Sequence, residues 1–216
     1  MKISFFSLYK SLILGYNYVN ELFETRHYII MKELDFTEKR ISGELIYDGI
    51  VLHVFRDEIE QSTGMRSVRE FVKHNGAVCV IPVTNDGEII CVRQYRYAQG
   101  RTVLEIPAGK LDTKDEIPEE AARRELREET GFHAGKLTYL GIMQGSPAIL
   151  DERIHMYLAE ELEGGECEPD EDEILEIVKI PLDKLLDMVM NGEIQDAKTQ
   201  IAVLKTHYLI SNKQSK

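Results

Sequence analysis

The sequence contains no tryptophan, and it has only six prolines and three cysteines. Cys79, Cys91 and Cys167 lack the C-x-x-C spacing that is typical of zinc sites, and no secretory pattern accompanies them. A disulfide framework or a zinc site therefore has little support, and reduced thiols in a cytosol are expected. Cys79 and Cys91 lie on either side of the turn at residues 85–87. We interpret them as packed strand residues that can face each other across a hairpin.

The sequence also lacks an apolar run long enough to cross a membrane. In the aromatic-rich residues 1–30, Lys10 interrupts the apolar stretch 3–14, and no small-residue cleavage site follows. Neither a membrane partner nor secretion is predicted, so a cytoplasmic protein is expected. Met31 opens a more ordinary sequence, and we therefore treat residues 1–30 as an extension that is either dispensable or a start-site artefact.

Positive charge is the minority sign. The 216 residues include 26 Lys and Arg against 38 Asp and Glu, which gives a formal net charge of −12. Ten of the acidic residues lie between residues 159 and 176, a run without Lys, Arg or His. Such a run argues against binding to a phosphate backbone in that region. Nucleic acid is therefore not predicted as a partner, and 43% hydrophobic residues indicate a globular chain.

The chain does contain strand-like runs, separated by Gly, Asn and Asp, and one strongly defined helix. Strands are predicted within residues 45–83, 88–96, 102–107, 136–142, 153–162 and 173–180, with a loop beginning at residues 107–109. Residues 117–130 predict a helix, since Pro118 suits its first turn and Gly131 suits its end. Further helices are predicted at residues 182–190 and 196–210. This order predicts an α+β fold, with a mixed or antiparallel sheet covered by helices.

Three carboxylates share one face of the helix predicted at residues 117–130. Glu125, Glu128 and Glu129 stand at positions i, i+3 and i+4, where like charges repel. Arg124 lies four residues before Glu128 and can pair with it, which leaves Glu125 and Glu129 for another partner. Oxygen ligands of this kind suit Mg²⁺ or Mn²⁺ completed by substrate phosphates. The alternative interpretation is a solvated acidic surface.

The residues around this helix resemble the Nudix hydrolase family, whose box reads G-x5-E-x7-R-E-U-x-E-E-x-G-U with U apolar. The match from Glu116 to Phe132 is complete, whereas the spacing from Gly109 to Glu116 is one residue longer than in the family. Such a loop insertion costs little free energy. The resemblance extends to the ADP-ribose pyrophosphatase branch, in which a proline lies about fifteen residues past the box, as Pro147 does here.

Other segments carry the same resemblance, namely GSPAILDER, in which Ala148 replaces a usual glycine, and residues 69–78, 93–96 and 104–111. Together they cover about residues 40–210, so residues 1–30 lie outside the similarity. The resemblance implies a Nudix-type mixed sheet flanked by helices, with a hydrolase domain at residues 75–216. It also implies a homodimer, in which an antiparallel strand unit at residues 31–74 completes the partner's substrate pocket.

The function that the resemblance implies is Mg²⁺-dependent (or Mn²⁺-dependent) hydrolysis of ADP-ribose to AMP and ribose 5-phosphate. The implied metal ligands are Glu125, Glu128, Glu129 and the Ala108 carbonyl, while Glu116 would support them or hold the loop. The implied contacts to the nucleoside diphosphate sugar are Arg69, Arg96 and Glu105; a guanidinium fork matches phosphate oxygens.

The resemblance places the general base in the acidic loop at residues 169–173. Glu171 is the first candidate and Glu173 the second, since both point to the same side if the segment is extended. If neither acts, the base is a box glutamate such as Glu128, or Glu152. Two other functions stay open: hydrolysis of a different nucleoside diphosphate derivative, and binding of ADP-ribose by a non-catalytic sensor.

Overall fold

The computed structural model describes residues 35–164, 167 and 174–214. The predicted extension at residues 1–30 and the candidate bases Glu171 and Glu173 therefore lie outside the described residues. Within those ranges, no helix is both long and apolar enough to cross a membrane. The described chain divides into two compact units, one formed by residues 35–44 with Arg56–Arg69 and the other by Leu45–Phe55 with residues 70–214. The predicted boundary at residue 74 stays a prediction.

The N-terminal strands are present as predicted. β1 (Glu38–Asp48), β2 (His53–Gln61) and β3 (Arg66–Lys73) form a three-stranded sheet in the order β1-β2-β3. Each connection between consecutive strands is only four residues long, which permits antiparallel but not parallel neighbours. In the first unit, Asp57 accepts a hydrogen bond from Arg40 Nε at 2.8 Å, and this ion pair joins β1 to β2.

The described residues of the second unit form two further sheets. One has the order β10-β5-β6 and the other the order β7-β4-β9-β8. Their strands are β4 (Ala77–Pro82), β5 (Glu88–Arg96), β6 (Arg101–Glu105), β7 (Ala108–Lys110), β8 (Phe132–Met143), β9 (Ile154–Gly164) and β10 (Glu176–Pro181). β4 and β9 pair in parallel and β4 and β7 antiparallel, so the sheet is mixed as predicted. A three-residue strand, β7, stands where the sequence indicated the start of a loop.

In the described residues, three α-helices pack with the sheets: α1 (Pro118–Thr130), α2 (Leu182–Met190) and α3 (Ala197–Gln214). All three helices are confirmed, and α1 begins at a proline and ends at Gly131 with a φ of 71°, as its sequence signals predict. Every residue of β4 is buried because both faces of the strand are covered. Val78 and Val80 pack with α1, whereas the alternate residues pack with the cluster that includes α2 and α3.

Cys79 and Cys91 do not face each other across a hairpin, as the sequence suggested they could. Cys79 on β4 and Cys91 on β5 belong to different sheets, and the isolated backbone bridge from Val83 to Ile89 lies beyond the end of β4. The two cysteines are therefore not paired across a hairpin ladder, because the strands diverge after the turn. Both are fully buried free thiols in the same apolar cluster, which confirms that they are packed strand residues. Burial raises the pKa of each thiol to about 12.

Candidate active site

β7 and α1 meet at one wall of a cleft of about 540 Å³. The backbone N–H of Ala108 donates to Glu129 Oε2 at 3.2 Å, which fixes the strand against the helix. A Cβ added to Gly109 would lie 2.0–2.2 Å from the carboxylate atoms of Glu125. Only glycine lets the backbone approach this closely, so the strand and the carboxylate form one packed unit.

Three glutamates of α1, namely Glu125, Glu128 and Glu129, are buried or half-buried. Glu129 is only 2% exposed, Glu125 is also buried, and Glu128 is half-buried. Each of the three also has protein partners, so none is an isolated buried charge. Carboxylates in this state are costly to bury without cations nearby. The helix therefore concentrates negative charge at the cleft and requires positive charge beside it.

Arg124 supplies part of that positive charge. Its Nη1 atom donates to Glu125 Oε1 at 2.7 Å and to Glu128 Oε2 at 3.0 Å, and its Nη2 atom donates to Glu116 Oε1 at 3.3 Å. Burial lowers the pKa of Arg124, but the carboxylates of Glu125, Glu128 and Asp112 more than offset that effect and hold the pKa above its usual value. The predicted pair with Glu128 is confirmed. The expectation that Arg124 leaves Glu125 for another partner is wrong, because one guanidinium nitrogen contacts both carboxylates.

Glu116 joins the box loop to this network. Its Oε2 atom accepts a hydrogen bond from the backbone N–H of Asp112 at 2.6 Å, while Oε1 accepts from Arg124. The glutamate therefore closes the lengthened loop between β7 and α1 and ties it to the helix. This is the loop-holding role that the sequence resemblance offered for Glu116.

The residues present fit a hard divalent cation. Ala108, Glu125, Glu128 and Glu129 offer oxygen atoms, which such cations prefer, and the cradle at Gly109 holds one carboxylate where a Cβ would displace it. In the described part of the chain, no three His, Cys, Asp or Glu side chains are drawn together as a metal site. Arg124 lies between Glu125 and Glu128 instead. A cation that binds Glu125 Oε1 and Glu128 Oε2 would have to displace this guanidinium.

A second cluster of charged residues, contributed by β5, β6 and α3, lies at the same cleft. Arg96 Nε donates to Glu105 Oε1 at 2.7 Å, and the ammonium of Lys198 donates to Glu105 Oε2. Arg96 and Lys198 line the cleft, whereas Glu105 is 2% exposed beneath them. The structure thus brings Arg96 and Glu105 together with the glutamates of α1. Lys198 was not predicted, because a single lysine near the start of a helix is usually solvated and nothing in the sequence distinguishes it.

Two other predicted residues lie as follows. Arg69 belongs to the first unit, where its guanidinium pairs with Glu38 and its Nε atom donates at 2.9 Å. That hydrogen bond lowers the pKa of the Glu38 carboxyl. Glu152 lines the cleft, and its Oε1 atom lies 3.5 Å from His74 Nδ1. The substrate role of Arg69 and the reserve role of Glu152 as base stay predictions.

Comparison with known proteins identifies the class. The family model of the NUDIX domain matches residues 73–200, which is more than half of the chain. The chain belongs to the NUDIX family of hydrolases, as the glutamates of α1 and the α+β fold indicate. Hydrolases of this family generally need a divalent metal ion.

Individual proteins that are similar to this chain indicate a branch within the family. The ADP-ribose pyrophosphatase of Bacillus subtilis (strain 168) is 46% identical over 175 residues, which cover 80% of this chain and 93% of the relative. A methanol dehydrogenase activator of Bacillus methanolicus is 42% identical over 170 residues, which cover 78% and 91%. The crystal structure of an ADP compounds hydrolase superposes with a TM-score of 0.74 at 25% identity and covers 84% of this chain and 98% of that one. These matches confirm the predicted family, branch and fold.

Proposed function

We propose that this protein is an ADP-ribose diphosphatase, which hydrolyses the diphosphate bond to give AMP and ribose 5-phosphate. The observation that carries the proposal is a cleft lined by Glu125 and Glu128 of α1 together with Arg96 and Lys198. The oxygens of a diphosphate need positive charge beside them. In this cleft, a metal ion held by the glutamates and the cationic side chains can both supply that charge. The 46% identity to an ADP-ribose pyrophosphatase supports this choice of substrate.

The metal-binding residues and the cationic side chains of the cleft have different roles in the proposed reaction. Mg²⁺, or Mn²⁺ in its place, held by Glu125, Glu128, Glu129 and the Ala108 carbonyl, would neutralise charge on the diphosphate and polarise the attacking water. Arg96 donates its remaining N–H groups to phosphate oxygens, in the geometry that a guanidinium fork favours. Glu116 keeps the loop closed against α1 through Asp112.

The proton of the attacking water requires a base. We assign it to Glu171, with Glu173 as the second candidate, by their position in the acidic loop before β10. Glu152 is the reserve, because it lines the cleft and its side chain is 19% exposed. A general base has to reach the water within hydrogen-bond distance, which Glu152 satisfies only if the water lies on its side of the cleft.

The active form that we propose is a cytosolic homodimer. β1 has no buried residue along its 11 positions, and its exposed apolar side chains are Ile41, Leu45, Ile46 and Tyr47. Several exposed apolar side chains on one strand are typical of an interface, and a second copy of the strand unit would cover them and bring Arg69 to a substrate pocket. The three cysteines are free thiols, as expected for a reducing compartment.

A panel of substrates tests the proposal. Purified protein is incubated with Mg²⁺ and ADP-ribose, NADH, a sugar nucleotide or a nucleoside triphosphate, and the products are separated by chromatography. ADP-ribose should give the highest kcat/KM. A higher value for another nucleoside diphosphate derivative would assign the site to that substrate, and binding of ADP-ribose without turnover would indicate a sensor.

A further inference from the structure

Lys198 lies at the start of α3 with its side chain 11% exposed, and it lines the cleft that holds the glutamates of α1. Lysines are rarely buried to this degree unless they are paired. Its ammonium donates to Glu105 Oε2 and to Asp196 Oδ1, the latter at 3.0 Å. An ammonium has three N–H groups, so these two carboxylates leave one donor for the cleft.

Hydrogen bonds of Asp196 and Thr199 hold the backbone around Lys198 in place. Asp196 Oδ2 accepts hydrogen bonds from the backbone N–H of Thr199 at 2.9 Å and from its hydroxyl at 2.5 Å. The same hydroxyl oxygen accepts from the backbone N–H of Ile106 at 3.0 Å. This buried chain of hydrogen bonds ties the first turn of α3 to the end of β6, so the ammonium is held in place before a ligand arrives.

Glu105 binds two of the cationic side chains that line the cleft, although it is not itself a lining residue. One oxygen accepts from Arg96 and the other from Lys198, and the residue is 2% exposed. A buried carboxylate in this position serves as an anchor that aims two cationic donors in one direction. Glu125 and Glu128 bring the negative charge of α1 to the same cleft, so an anionic ligand there needs cationic donors.

We propose that Lys198 is a substrate-binding residue that, together with Arg96, donates hydrogen bonds to the diphosphate oxygens of a nucleoside diphosphate sugar. Glu105 and Asp196 act as positioning residues that hold the two cations. The inference rests on the proposed function, since it requires a diphosphate in this cleft. It also changes the role expected for Glu105, from a direct contact with the substrate to the anchor of two contacts.

Replacement of Lys198 by methionine removes the charge and retains an unbranched side chain. The KM for ADP-ribose should rise about tenfold or more, the loss expected for one charge-assisted hydrogen bond, with a smaller change in kcat. The matched control is Lys205→Met on the same helix, where the ammonium donates to the Leu140 carbonyl at 2.5 Å outside the cleft. This control should leave KM unchanged.

Loss of Lys198 also leaves the buried Glu105 with one cation fewer, which can lower stability. Lys198→Gln keeps donors for both carboxylates without the charge and should show the same rise in KM with a smaller change in melting midpoint. Lys198→Arg restores the charge and should recover most of the binding. Structural damage alone would lower the melting midpoint and leave KM unaltered in assays run well below it.

Two results overturn the inference and can be told apart. If wild-type protein hydrolyses ADP-ribose and both Lys198→Met and Lys198→Gln keep KM within about twofold of it, the lysine does not bind substrate. If wild-type protein does not hydrolyse ADP-ribose at all, the proposed function fails and the inference fails with it.

Discussion

Gly109 lies directly against the carboxylate of Glu125, so close that a Cβ at residue 109 would lie 2.0 Å from the carboxyl carbon. The first residue of the box motif and one of its glutamates are therefore a single structural unit, although 16 positions separate them. The glycine is required by the side chain that packs on it rather than by its own backbone dihedrals, since its φ does not lie in the left-handed region.

Gly109→Ala should displace Glu125 or shift β7. We expect the affinity for divalent cation to fall about 10- to 100-fold, the range seen when the orientation of a metal ligand is disturbed, with a matching loss of kcat/KM. Titration with Mn²⁺ and steady-state kinetics measure the two effects. Gly164→Ala is the control, because its Cβ would meet Phe132 no closer than 3.5 Å, an ordinary contact. Wild-type affinity in Gly109→Ala would refute the role of this cradle.

Arg124 and a divalent cation compete for the same carboxylates. In Arg124→Met without metal, three glutamates lose their shared partner, and the free energy of unfolding should fall by about 1–3 kcal/mol. Added Mg²⁺ then stabilises the variant more than the wild type, because no guanidinium has to be displaced. Melting midpoints with and without Mg²⁺ measure this difference, with Arg123→Met, which pairs with the exposed Glu119, as the control. Equal shifts with Mg²⁺ in both proteins would contradict the competition.

The local signals in the sequence were sufficient for the helices. Pro118 and Gly131 predict the two ends of α1, and the bounds predicted for α2 coincide with Leu182–Met190. Such signals act within a few residues of each other, which is why one sequence can carry them. The spacing of Glu125, Glu128 and Glu129 likewise predicts one charged helix face, and the structure places Glu125 and Glu128 in the lining of a cleft and Glu129 against β7.

Long-range pairing could not be predicted in the same way. β4 pairs in parallel with β9, whose first residue is 77 positions further along the chain than that of β4, and no local signal specifies such a partner. The short strand β7 exists because β4 pairs with it, although the prolines and glycines around it favour a loop. The anchor formed by Glu105 depends on Arg96 and Lys198, which come from separate elements and meet only in the folded chain.

The cysteines should differ in reactivity according to burial. Cys79 and Cys91 are fully buried, whereas Cys167 is exposed, so an aromatic disulfide reagent should modify one thiol in the native protein and three after unfolding. Because burial raises the pKa of Cys79 and Cys91 from 9.0 to about 12, their thiols ionise in the unfolded chain first. Their contribution to stability is therefore complete below pH 9 and is lost as the pH rises toward 12. Rapid modification of all three thiols in native protein at pH 8 would contradict this account.

The assignment of the general base predicts a large loss of kcat in Glu171→Gln or Glu173→Gln and little change in the variants of neighbouring acidic residues. A general base contributes about 10²–10⁴-fold, so Glu171→Gln should lower kcat strongly with little change in KM, and Asp172→Asn should change little. Glu173→Gln is expected to show the large effect if Glu171→Gln does not. If neither costs more than about tenfold in kcat, the base lies at Glu152 or among the box glutamates.

The most direct test of the central claim is hydrolysis of ADP-ribose with and without divalent cation. With Mg²⁺ the wild-type protein should release AMP and ribose 5-phosphate in equal amounts, and a chelator should abolish turnover. Glu129→Gln should also nearly abolish turnover. Its melting midpoint should hold or rise, because the change removes the charge of a residue that is only 2% exposed. Turnover that survives chelation, or wild-type turnover in Glu129→Gln, would contradict a metal-dependent diphosphatase built on α1.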